Sequence, residues 1–225
     1  MTFSIVARCA RTGRFGVAVA SSSPAVAARC AYARAGVGAA TTQNITDPRL
    51  GPRALDLMAL GASAEHACAA VVAGAPHVEF RQLTMIDASG GTGSFSGARV
   101  LGCHGWASGL DVVSAGNLLA NDGVPAAVVA RFVAGEGEDL GPRVLAAMQA
   151  GLDAGGEAGP IHSAGMLIVD KVAWPVADLR VDWSDAPLTD LARLWAVWEP
   201  QMEAYVTRAL NPSGAPSYGV PGDEV

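Results

Sequence analysis

Thr2 is the residue whose type and position do chemistry together. Unmasked as a first residue, a threonine carries a hydroxyl and an α-amine on one α-carbon, a nucleophile and a proton acceptor in one amino acid. The hydroxyl attacks a carbonyl, and the amine takes its proton directly or through one water, so no distant base is required. The reference pKa of an α-amine, about 7.7–8.0, leaves an appreciable neutral fraction near neutral pH. The β-branch restricts χ1 and holds the hydroxyl in place. The stretch "TFSIVAR" reads as a strand that begins at the second residue, and such a strand anchors the nucleophile to a rigid sheet. The competing reading is plain: small residues are common behind an initiator methionine.

Other catalytic signatures are missing. There is no G-x-S-x-G elbow and no H-E-x-x-H. A phosphate-binding G-x-x-x-x-G-K-[ST] is absent, and Lys171 is the single lysine. The run Gly91-Thr92-Gly93 has Ser96 where a dinucleotide fingerprint needs glycine. His66, His77, His104 and His162 share no motif, and Cys9, Cys30, Cys68 and Cys103 form no C-x-x-C. Neither a metal nor an organic cofactor is expected.

The elements that must position Thr2 follow from periodicity. Residues 2–8 and 14–21 are apolar runs joined by "CARTGR", where Thr12-Gly13 signals a hairpin turn. A small-residue strand is expected over 35–44, with Gly36 and Gly38 marking close backbone approach. Helices are expected over 48–60 and 63–73, then strands over 81–87, 92–100 and 111–121. Two more helices, 124–134 and 140–154, precede strands over 162–170 and 179–183. A long amphipathic helix over 188–210, kinked at Pro200, carries Leu191, Leu194, Trp195, Trp198, Met202 and Tyr205 at helical spacing. Strands and helices come in blocks, which argues for an α+β fold and against alternating βαβ units. One domain over 1–210 is expected, followed by a Pro/Gly-rich tail over 211–225.

Composition narrows the partners. At 225 residues and 51% hydrophobic content the core needs no staples. The formal charge of −6 and the lack of any basic cluster argue against nucleic acid. No apolar run is long enough for a membrane helix, and no leader precedes the first strand. Scattered cysteines then suggest a cytoplasmic setting. The Trp-bearing helix suggests a homo-oligomer, and Arg29, Arg34 and Arg49 hint at an acidic ligand.

The segments "TFSIVAR", "TGRFGVAVAS", "ARAGVGAATTQN", "GPRALDLM", "RQLTMIDASG", "GNLLA" and "DLRVDWSDAP" together resemble a family called domain of unknown function 1028, over most of residues 2–210. That family is grouped with the N-terminal-nucleophile (Ntn) hydrolases. The grouping implies a four-layer αββα sandwich with the nucleophile at the start of the first strand. Carried over by position, Thr2 is the nucleophile, and Ser21 and Ser22 end the paired strand near its amine. Arg34 lies where a cation would favour the neutral amine, and Thr42, Gln43 and Asn44 would line the pocket. Asn117, in "GNLL", would be the oxyanion donor, a role worth roughly 3 kcal/mol of barrier. The chain departs from the family pattern at Cys9, near Ser22, and at Val181-Asp182-Trp183-Ser184.

Two functions follow. The first is an Ntn-type hydrolase of a small amide or peptide-like bond, with Thr2 freed by methionine removal. The second is a non-catalytic binding or assembly protein that keeps the same fold.

Overall fold

Thr2–Arg8 (β1) and Phe15–Ser21 (β2) form the expected hairpin around Thr12 and Gly13, the latter at φ +77°. In the computed structural model, which describes residues 1–222, this hairpin is the centre of the larger of two sheets. A helical turn, Ala27–Cys30 (α1), leads into Ala31–Arg34 (β3), and Gly38–Asn44 (β4) returns against it. The single strand expected over 35–44 is therefore shorter and has a partner upstream. Gly38 has φ +156°, and a Cβ there would lie 2.3 Å from the Ile86 carbonyl oxygen, so the close approach is real. Gly36 has open space around it and serves the turn.

Leu50–Ala59 (α2) and Ala64–Gly74 (α3) follow, the second capped by the Ser63 hydroxyl, which accepts from the His66 N–H at 3.2 Å. The next strands are Arg81–Asp87 (β5), Thr92–Ser96 (β6), Gly105–Gly109 (β7) and Val112–Asn117 (β8). Val124–Ala134 (α4) and Leu140–Asp153 (α5) precede Ser163–Val169 (β9) and Ala177–Val181 (β10). The long helix divides into Pro187–Trp198 (α6) and Met202–Leu210 (α7) at a 3-10 turn containing Pro200. The tail folds back at Arg208, which donates to the Pro216 carbonyl at 3.0 Å; residues 223–225 lie outside the described residues.

Both sheets are antiparallel. The larger has the order β10-β9-β2-β1-β8-β7 and the smaller β3-β4-β5-β6. Alternation assigns the faces. Phe3, Ile5 and Ala7 of β1 pack with Val128, Phe132, Val144 and Met148 of α4 and α5, and with Leu191 and Trp195 of α6. Leu83 and Met85 of β5 pack with Leu50, Ala54 and Met58 of α2 and with Ala67 and Val71 of α3. Between the sheets lies a third cluster made of Val6, Phe15, Val17, Ala39, Ile86, Val113 and Val169. Each large apolar side chain so buried contributes about 1.5–3 kcal/mol. Among the described residues no helix is long and apolar enough to cross a membrane.

The apolar seam between the sheets does not run their full length. Toward the start of β1 the same inward positions become Thr2, Ser4, Ser21, Thr41, Gln43, Gln82, Thr84 and Asn117, all buried. A polar inter-sheet end of this kind persists only where its groups are hydrogen-bonded or functional.

Candidate active site

Strand ends build the site. Thr2 opens β1 in register with Asn117 at the end of β8, and Ser21 ends β2 opposite Ser163 at the start of β9. The end of β4 pairs with the start of β5, Gln43 opposite Gln82. Backbone at or after these strand ends is left-handed at non-glycine residues: Ala25 at φ 50°, Asn44 at φ 74° and Leu118 at φ 51°. Such conformations are costly and concentrate at sites whose surroundings enforce them.

Thr2 is 6% exposed. Its Oγ1 lies 3.4 Å from Ser21 Oγ, and both hydroxyls donate to the Met1 carbonyl oxygen. Ser21 Oγ also accepts from the Ser23 N–H at 3.0 Å, which fixes its rotamer. A carbonyl held by two hydroxyls is a polarised acyl group.

Glu157 stands next to this pair and had no signal in the sequence. It lies in the "GGEAGP" loop between α5 and β9. The loop is stapled to the segment after β8: Leu119 bridges Glu157, and the Ala158 N–H donates to the Leu118 carbonyl at 2.9 Å. Glu157 is 4% exposed, and its carboxylate oxygens accept from the Ser22 N–H at 3.1 and 3.3 Å. Burial pushes its pKa up to about 7, against the opposing pull of the Met1 ammonium and of Ser22.

Three amides meet at this end, and Gln82 links the two sheets. Gln43 Nε2 donates to Gln82 Oε1 at 2.8 Å, and Asn117 Nδ2 donates to the same oxygen at 3.1 Å. Gln82 Nε2 donates to the Gly116 carbonyl at 3.0 Å and to Ser96 Oγ at 3.0 Å. A carbonyl on one side of Gln82 fixes which end of its amide is nitrogen, and that fixes Gln43 and Asn117 as donors. Gln43 Oε1 and Asn117 Oδ1 are left buried without a partner.

The residues expected at the site divide accordingly. Thr2, Ser21, Gln43 and Asn117 gather at the inter-sheet end, and Ser22 serves the Glu157 carboxylate. Thr42 faces the other way, its hydroxyl donating to the Asp47 carbonyl at 3.2 Å. Asn44 is a turn amide, tied to the Phe80 carbonyl at 2.6 Å and the Leu101 N–H at 3.2 Å. Arg34 is a correction: it sits opposite Gly38, at the far end of β4, and pairs with Asp56 at 2.8 Å. An antiparallel return carries it away from Thr2. The other two arginines are likewise engaged. Arg29 donates to the Pro24 carbonyl at 2.7 Å, and Arg49 pairs with Asp47, whose carboxyl it holds down at about 2. Gln82 was legible in principle, as a polar residue at an inward position of the alternating strand "RQLTMID".

Two antiparallel sheets with helices packed on them, and a buried threonine at the first strand's start, define a mixed α+β protein with a candidate site at its strand ends. The chain belongs to a family of unknown function, DUF1028, whose family model matches residues 2–191. It is similar to the crystal structure of protein SPO2555 from Silicibacter pomeroyi, described as DUF1028. The two are 27% identical with a TM-score of 0.81, over 87% of this chain and 88% of that one. Anbu (ancestral beta-subunit) from Yersinia bercovieri aligns at 13% identity and a TM-score of 0.39, over 90% of this chain and 97% of that one. That likeness is too distant to carry an argument. No curated protein matches the chain.

Proposed function

We propose that the protein is an Ntn-type hydrolase of a small amide or peptide-like bond, with Thr2 as nucleophile once Met1 is removed. The observation that carries this reading is the buried Thr2 hydroxyl, 3.4 Å from Ser21 Oγ at the polar end of the inter-sheet space. Helices on the outer face of each sheet and an apolar seam between them support a four-layer αββα sandwich.

In this mechanism Thr2 Oγ1 attacks the substrate carbonyl carbon, and its proton passes to the Thr2 α-amine. Ser21 Oγ, which already donates to an acyl oxygen here, stabilises the oxyanion. Asn117 Nδ2 spends one proton on Gln82 and keeps a second for the same task. The tetrahedral intermediate collapses, the leaving amine takes the proton from the Thr2 ammonium, and an ester remains on Thr2. Water then cleaves the ester by the same proton route. The route calls on no cofactor.

The non-catalytic reading is favoured by one observation: with Met1 retained, both hydroxyls are spent on its carbonyl, as a structural cap. Intact mass of the protein from its own host separates the two. The hydrolase reading expects loss of Met1 and hydrolysis of an amide panel that disappears in Thr2→Ala. Retained Met1, with Thr2→Ala indistinguishable from wild type on that panel, would favour the binding protein.

A further inference from the structure

The geometry points to a second binding site, for a small monocarboxylate, in the cavity between Cys9 and Arg143; it does not depend on the Thr2 reading. The cavity, of about 220 Å³, lies at the far end of β1. Six strand steps of about 3.3 Å put Arg8, the neighbour of Cys9, about 20 Å from Thr2. Cys9 and Leu110, from the turns after β1 and β7, form one part of the wall. Val133 of α4 and Arg143 of α5 form another.

Arg143 is the residue that calls for a ligand. It is 8% exposed and lines the cavity. Its Nε donates to the Phe132 carbonyl at 2.6 Å, and the Phe132 ring covers one face of the guanidinium at 3.7 Å. These two contacts set the plane of the group. Among the described residues neither Nη group has a hydrogen-bond partner, and no carboxylate forms an ion pair with Arg143. A buried charge without a counter-ion is costly. Burial accordingly holds the Arg143 pKa below its ordinary value, against the pull of Cys9, Glu136, Glu138 and Asp111. Two free N–H edges on one fixed guanidinium match the two oxygens of a carboxylate.

The other charges on the wall limit what the ligand carries. Asp111 pairs with Arg8 at 2.8 Å, Glu138 with Arg131 at 3.1 Å, and Arg11 with Asp139 at 2.7 Å. Glu136 is exposed, and the Cys9 thiol is an anion only when ionised. These acids leave Arg143 unpaired, yet they repel a second negative charge, so one carboxylate is favoured over a dicarboxylate or a phosphate. The wall at Ala10, Leu110 and Val133 is apolar and suits a short aliphatic body.

The test is binding followed by NMR at the Arg143 Nε–H and at the backbone of Cys9 and Ala10. Isotope-labelled protein is titrated with propanoate and with propanamide, an uncharged analogue of the same shape. Propanoate is expected to shift these signals saturably and to bind at least about tenfold tighter than propanamide. Arg143→Lys, which keeps the charge and loses the paired donors, is expected to lose most of that preference. Cys9→Ala is expected to bind propanoate no less tightly than wild type. Absence of shifts, equal affinity for the two probes, shifts confined to other parts of the protein, a preference kept in full by Arg143→Lys, or binding lost in Cys9→Ala each overturns the inference. Tighter binding of succinate or phosphate than of propanoate overturns it as well. If Arg143→Lys does not fold, the wild-type pair of titrations decides.

Discussion

The hydroxyls of Thr2 and Ser21 face each other across the β1–β2 pair at 3.4 Å, and both donate to one carbonyl oxygen. In the proposed hydrolase Ser21 holds the oxyanion. Ser21→Ala is expected to lower kcat by about 10²–10³ with KM little changed, the signature of a donor used mainly in the transition state. The loss of the acceptor for the Ser23 N–H costs about 1 kcal/mol of stability. Steady-state kinetics on a Met1-free protein checks this, and an unchanged kcat counts against an oxyanion role for Ser21.

Glu157 makes stability depend on pH. Its folded pKa, about 7, lies above the ordinary 4.5, so the folded state holds the proton more tightly. The contribution is fully present below 4.5 and is lost as pH rises through about 7. Glutamine does not titrate. Denaturation of wild type and Glu157→Gln at a series of pH values should therefore show the variant gaining on wild type by up to about 3 kcal/mol across that window. Parallel curves would mean that burial does not hold the carboxyl neutral.

Gln82 is the hub of the inter-sheet amides. Gln82→Met strands Gln43 Nε2 and Asn117 Nδ2 without their shared acceptor. A loss of about 2–4 kcal/mol is expected, seen as a lower urea midpoint at unchanged m value. A near-neutral result would show that water replaces Gln82.

Gly141 reports on the helix layer over the larger sheet. A Cβ there would lie 2.2 Å from the Trp195 ring, which is itself buried. Gly141→Ala is expected to push α5 and α6 apart at a cost of about 1–3 kcal/mol, a fall in Tm of several degrees. Calorimetry tests it, and an unchanged Tm would mean that these helices pack less tightly than described.

Much of this fold was legible because local chemistry and tertiary need agreed. Thr12-Gly13 marks the first hairpin, and the alternation Thr2, Ser4, Val6 puts Thr2 on the inward face. Edge strands were harder. β7 carries Trp106, 52% exposed, among small residues, and an edge strand with little to bury leaves no apolar pattern. Arg34 was misplaced because sequence does not tell which end of a short edge strand lies near the N-terminus. Glu157 was invisible for another reason: its place is set by backbone bonds to Leu118 and Leu119, distant in sequence, and not by any local spacing. The amides were within reach, since Gln43 and Gln82 occupy positions that alternation reserves for the core.

The most direct measurement is covalent labelling of Met1-free protein with an uncharged acylating electrophile such as a β-lactone, mapped by peptide mass spectrometry. A single adduct on Thr2, absent from Thr2→Ala and from protein that keeps Met1, is the predicted result. Folded, Met1-free protein whose Thr2 stays unmodified would contradict the nucleophile assignment.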